Sequence, residues 1–158
     1  LLIIGPLSEE IGWRGYALER LQTRWNALTS SLMVGLAWGL WHLPLFFMVG
    51  TSQHELGIPF IGFLVGMMAN SILYTWLYNN TKQSLWSAIL LHWLYTYAAQ
   101  VVSSGVTRSP LYNWLECLPY VVMAFVVVLI WNAPMLSHHT IRNAAQAIEL
   151  SFPGDRRA

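Results

Sequence analysis

Four long stretches of this chain contain no Asp, Glu, Lys or Arg: "SSLMVGLAWGLWHLPLFFMVG" (30–50), "GIPFIGFLVGMMANSILYTWLY" (57–78), "SLWSAILLHWLYTYAAQVVS" (84–103) and "CLPYVVMAFVVVLIWNA" (117–133). Each comes close to the ~20 residues an α-helix needs to cross about 30 Å of hydrocarbon at 1.5 Å per residue. The breaks between them, "TSQHE", "NNTKQ" and "SGVTRSP", carry turn-forming and polar residues. Trp and Tyr gather near several span ends, as interfacial anchors do. The expected fold is an all-α, polytopic helical membrane bundle. It would have about four transmembrane helices, preceded by a half-membrane helix over roughly 8–24.

Composition agrees. Of 158 residues, 56% are hydrophobic and 9% charged, where a soluble domain carries about 25% charged residues. Mean hydropathy is +0.47. The length suits one domain, read as a helical domain over 1–135 and a polar tail over 136–158, whose short surface helix is expected to fray. A net charge of +1 gives no sign of a nucleic-acid partner. Cys117 is the sole cysteine, so no intrachain disulfide can form. The opening "LLIIGPL", without Met, reads as the end of an apolar helix, so a fragment lacking N-terminal helices is expected.

The basic residues orient the spans. Alternation puts Arg20, Arg24, Lys82, Arg142, Arg156 and Arg157 on one side and Arg108 on the other. By the positive-inside rule the first side, with the C-terminal tail, is cytoplasmic. Segments 51–56 and 104–116 then face outward.

Ionisable groups inside the spans cluster in depth. His42 lies about 12 residues, ~18 Å, from the cytoplasmic edge, and His92 about 8 residues, ~12 Å. Counting back from Arg24 puts Glu9 and Glu10 ~20 Å from the same edge. A charge near the midplane costs at least ~2.5–3.5 kcal/mol, so it needs a partner or a wet cavity. Glu10 and Arg14 are i and i+4 with the acid first, the favoured order for a helical ion pair. Glu9 is rotated about 100° away and is free for another task. Pro6 is expected to break the chain just before, placing both acids in a first helical turn where the dipole favours negative charge. Each histidine alone is accounted for by a hydrogen bond to a neighbouring helix; the convergence of all four groups carries the site. His54, beside Glu55, reads as solvated loop, because "HE" without a second His four residues on is no zinc motif. His138 and His139 read as surface residues.

In motif order, "EEIGWR" (9–14), "WGLWH" (38–42) and "NNTKQSLWSAILLHWLYT" (79–96) resemble the CAAX prenyl endopeptidase and bacteriocin-processing family of intramembrane proteases, also called CPBP or Abi. The resemblance covers about residues 5–100. It implies a helical intramembrane protease whose site opens to the cytoplasm. Glu9 and His42 correspond to the residues that activate a water, and Glu10 and Arg14 to their support. The family's third motif is HxxxN, whose His and Asn are assigned to the oxyanion site. His92 fits; the fourth position after it is Thr96. A Thr hydroxyl still donates one hydrogen bond, with Tyr95 and Tyr97 as further candidates.

The chemistry is coherent without the family. Peptide hydrolysis needs a base for water and donors for the developing oxyanion. A zinc-dependent variant would use Glu9, His42 and His92 as ligands with water as the fourth; a metal-free glutamate mechanism is the preferred reading. Expected partners are membrane lipid and a peptide or prenylated-protein substrate, and the expected location is the cell membrane of a prokaryote. Two other classes compete. One is a catalytically weak immunity or scaffold protein of the same family, for which Thr96 speaks. The other is a proton relay or transporter, against which the lack of an internal repeat speaks.

Overall fold

The computed structural model of the protein describes residues 4–105, 109–131 and 133–137. Every regular element among them is helical. The order is α1 (Ile4–Gly12), a π-helical segment (Trp13–Leu18), α2 (Glu19–Gln22), α3 (Ala27–Trp41), a 3-10 turn (Leu43–Phe46), α4 (Ser52–Glu55), α5 (Phe60–Asn80), α6 (Leu85–Gly105), α7 (Pro110–Leu115) and α8 (Leu118–Ile130). Arg108, Arg142, Arg156, Arg157, His138, His139 and the expected tail helix lie outside the described residues.

α5 is the central helix, packed against α3, α6 and α8. α3 approaches it closely because of small residues at four-residue spacing: Ser31, Gly35 and Gly39 are all buried. A Cβ on Gly35 would stand 2.7 Å from the Cα of Met68, so only glycine admits this approach. It is the small-residue packing that membrane helices use when burial from water cannot drive association.

The spans differ from expectation in two ways. Two helical stretches are long and apolar enough to cross a membrane, Phe60–Asn80 and Pro110–Ile130, the second being α7 continued by α8 across a short turn. The first expected span, 30–50, is instead a 15-residue helix, Ala27–Trp41. Asn26 starts it, its side chain accepting from the backbone N–H of Thr29 at 2.8 Å. Pro44 ends it, lacking an N–H and disfavouring α geometry at Leu43. α6 has the length of a span, but His92, Thr96 and Gln100 dilute its apolarity. Along α8 the side chains of Val122, Phe125, Val126 and Leu129 are all exposed, a face suited to hydrocarbon rather than water.

The opening helix also differs. α1 runs through Pro6 without a break, from Ile4 onward among the described residues. Glu9 and Glu10 therefore sit beyond the first turn, and the dipole argument for them falls away. The helix then widens into the π segment and ends at Gln22 rather than near residue 24.

The segment 133–137 closes the end of the bundle that carries Arg20, Arg24 and Lys82. Leu136 is fully buried in a cluster with Ala27, Ala69, Ile72, Ala124 and Val127. Asn79 and Asn80 donate side-chain N–H groups to the carbonyls of Met135 (3.2 Å) and Leu136 (2.8 Å), and the N–H of Ala27 donates to the Pro134 carbonyl at 2.8 Å.

Candidate active site

A cavity of about 530 Å³ occupies the other half of the bundle. Its wall includes Glu9 from α1, Trp38 and His42 from α3, and His92, Tyr95 and Thr96 from α6. Gly62, Phe63 and Met67 of α5, Ser52, Gln53 and Leu56, from the turn containing α4, and Asn113 and Glu116, from α7 and its end, also line it. Asn113 ties these last two segments together, donating from Nδ2 to the Leu56 carbonyl at 2.7 Å.

Behind the cavity wall lies a buried ion pair. Glu10 and Arg14 are both fully buried. Arg14 donates from one terminal nitrogen to Glu10 Oε1 at 2.9 Å, and His92 Nδ1 meets the same oxygen at 2.9 Å. A carboxylate oxygen only accepts, so Nδ1 of His92 carries the proton and Nε2 is the nitrogen left to the cavity. The Arg14 guanidinium also lies over the rings of Trp38 and Tyr74, at 4.6 and 4.4 Å from their centroids. Those faces supply cation–π attraction where water is excluded.

Glu9 and His42 are held differently. The indole N–H of Trp38 donates to Glu9 Oε2 at 2.7 Å. His42 caps α3, and its Nδ1 lies 2.9 Å from the Trp38 carbonyl. A carbonyl also only accepts, so here too Nδ1–H is the donor and Nε2 faces the site with a lone pair when the ring is neutral. Glu9 keeps Oε1 unengaged by any described side chain. One carboxylate oxygen and one imidazole nitrogen on a shared wall can bind and deprotonate a water.

The structure thus brings Glu9, His42, His92 and Thr96 to one cavity and sets Glu10 and Arg14 behind it. Tyr95 joins the wall and packs edge-on against Tyr120 at 5.4 Å. Tyr97 does not: it is half exposed and stacks on Trp93 at 5.8 Å. His54 is exposed on short α4, as a solvated residue should be. Among the described residues no three His, Cys, Asp or Glu side chains are grouped closely enough to share an ion. Tyr74, the second ring over Arg14, and the Trp38 indole as a donor to Glu9 are site features that the motif spacing alone does not mark.

A model of the family "Type II CAAX prenyl endopeptidase Rce1-like" matches residues 1–98. That segment contains every residue from Glu9 to Thr96 described above and more than half of the chain. This chain belongs to the Rce1-like family. CAAX prenyl protease 2 of Methanococcus maripaludis is 35% identical over 96 residues, which cover 58% of this chain and 35% of that protein. The chain thus spans about a third of the length of this curated relative. Members of the Rce1-like family are peptidases, and family membership together with two apolar helices of spanning length points to a membrane protein.

Proposed function

We propose that this chain forms the catalytic core of an intramembrane endopeptidase that acts on a lipidated or membrane-associated peptide, of CAAX or bacteriocin-leader type. The observation that carries the reading is the shared cavity wall of Glu9, His42, His92 and Thr96 in a member of a peptidase family. Glu9, with His42 beside it, takes a proton from a water whose oxygen attacks the scissile carbonyl carbon. His92, donating from Nε2 in its doubly protonated form, and Thr96 through its hydroxyl hold the developing oxyanion. As the C–N bond breaks, the proton taken by Glu9 passes to the leaving amine. Glu10 and Arg14 orient His92 and the wall behind it and touch no reacting atom.

The test is cleavage of a small library of membrane peptides by purified protein. Glu9→Gln preserves shape and is expected to abolish cleavage while leaving the thermal midpoint in detergent unchanged. Full activity of Glu9→Gln would end the glutamate mechanism for this chain.

Thr96 favours a second reading, a catalytically weak scaffold or immunity protein, since losing an oxyanion donor lowers rates by ~10²–10³. Thr96→Asn separates the two. A rise in cleavage supports the protease reading, and inactivity of both forms supports the scaffold.

Two expectations about sidedness pull apart. The cavity lies in the half of the bundle remote from Arg20, Arg24 and Lys82. The charge rule turns that half outward, with the C-terminus cytoplasmic, whereas the family resemblance implies a cytoplasmic mouth. Cysteines introduced at Ser52 and at Arg24 should label from opposite sides in inverted vesicles of a prokaryotic plasma membrane, and Ser52 reports the side of the cavity.

A further inference from the structure

We propose that Trp38 is the positioning residue of this site, and that its indole N–H, as distinct from its ring, sets the reactive geometry of Glu9. The inference rests on the protease reading and deepens it. Trp38 is 2% exposed, so its position is fixed by packing. Its Nε1 donates to Glu9 Oε2 at 2.7 Å, and its carbonyl accepts from His42 Nδ1 at 2.9 Å. One face carries the Arg14 guanidinium at 4.6 Å. Edge contacts join it to His92 at 5.1 Å and to Tyr74 at 5.6 Å. Glu9 and Arg14 of the opening helix, His42 at the end of α3 and His92 of α6 all meet Trp38, His42 at its backbone carbonyl and the other three at its indole.

The two parts of Trp38 do separable things. The ring packs Arg14, His92 and Tyr74, which any large aromatic residue performs in part. The N–H is different. Glu9 is only half-buried at the cavity edge and its side chain has several staggered rotamers. A charge-assisted bond to Oε2 selects one of them and leaves Oε1 toward the cavity. Proximity and orientation are worth large factors in rate, and misplacement of a base by about 1 Å costs ~10²-fold.

Trp38→Phe retains an aromatic ring and deletes the N–H. The expected result is a fall in kcat of about 10- to 100-fold with KM within about twofold of wild type, since the base is lost from its reactive rotamer while substrate contacts remain. The thermal midpoint in detergent should fall little. A second readout does not use cleavage. In an indole 15N–1H spectrum of the detergent-solubilised protein, the resonance lost in Trp38→Phe identifies Nε1–H of Trp38, and that resonance should shift in Glu9→Ala. An unchanged kcat in Trp38→Phe, or an indole resonance indifferent to Glu9→Ala, overturns the proposal. A Glu9-dependent resonance in a wild-type chain that cleaves nothing keeps the hydrogen bond and refutes the protease reading alone.

Discussion

The two halves of the bundle treat buried polar groups in opposite ways. At the end bearing Arg20, Arg24 and Lys82, most polar groups answer each other, the buried indole N–H of Trp76 excepted. The amides of Gln22 and Asn79 exchange two hydrogen bonds, at 3.3 and 3.0 Å. Tyr78 donates to Glu19 at 2.5 Å, and Asn79 and Asn80 hold the 133–137 segment by its carbonyls. In the cavity half, Glu10 Oε2, two nitrogens of Arg14 and the Tyr74 hydroxyl are buried with no partner among the described residues. Buried polar groups are ordinarily satisfied, and departures mark strain, function or bound water. One end of the molecule therefore closes the fold, and the other keeps polar atoms in reserve beside a cavity.

Glu10→Gln should break this contrast most severely. It removes the charge opposite Arg14, whose remaining nitrogens already lack partners. Losing one member of a buried pair costs roughly 3–5 kcal/mol. Low yield and a depressed thermal midpoint in detergent are the expected outcomes, with cleavage falling as a consequence. If stability is unchanged and only cleavage falls, Glu10 acts in the chemistry rather than behind it.

Asn79→Leu probes the satisfied end and should have a smaller effect. It orphans the Gln22 amide and the Met135 carbonyl, each a loss of about 1–3 kcal/mol where buried. Adding Gln22→Leu should recover part of the stability, because no amide is then left unpaired. The per-molecule cleavage rate of the folded fraction should stay at the wild-type value in both. A change in that rate would show that the two halves are coupled.

Lys82→Asn should move least. The α5–α6 turn places Lys82 and Gln83 in left-handed conformations, with φ of 55° and 57°. Asn adopts that region more readily than Lys, so a gain of a few tenths of a kcal/mol is expected, measured as a slightly higher thermal midpoint.

Much of the cavity half was legible in the sequence because ionisable residues stand out in an apolar chain. Glu10 and Arg14 at helical spacing foretold their ion pair, and matching depths foretold the meeting of Glu9, His42 and His92. The basic end was not legible. Its bonds join Gln22 to Asn79 and Asn80 to Leu136, polar pairs more than fifty residues apart that carry no periodic signal. The first span was misjudged because "WHLPLFF" continues the apolar run, although Pro44 ends the helix. Hydropathy measures transfer to lipid and is blind to a missing N–H. Trp38 lies within "WGLWH", but its hydrogen bond to Glu9 depends on how α1 lies against α3, which no local pattern encodes.

The π segment after Gly12 has a consequence for phase. In an α-helix of 3.6 residues per turn, positions four apart advance by about 40° around the axis, and positions eight apart by about 80°. A row made of every fourth residue therefore drifts off the buried face within two turns. Glu10, Arg14 and Leu18 form such a row, and all three are fully buried. The widened i→i+5 turns of Trp13–Leu18 rotate less per residue and take the drift back. The acid pair and the Leu18–Val34–Tyr78 cluster thereby keep a common azimuth on one helix. Were the segment to keep its length but take regular α geometry, Glu10 would turn by about 80° relative to Leu18. The chain could then seat its carboxylates or its lower core, but not both.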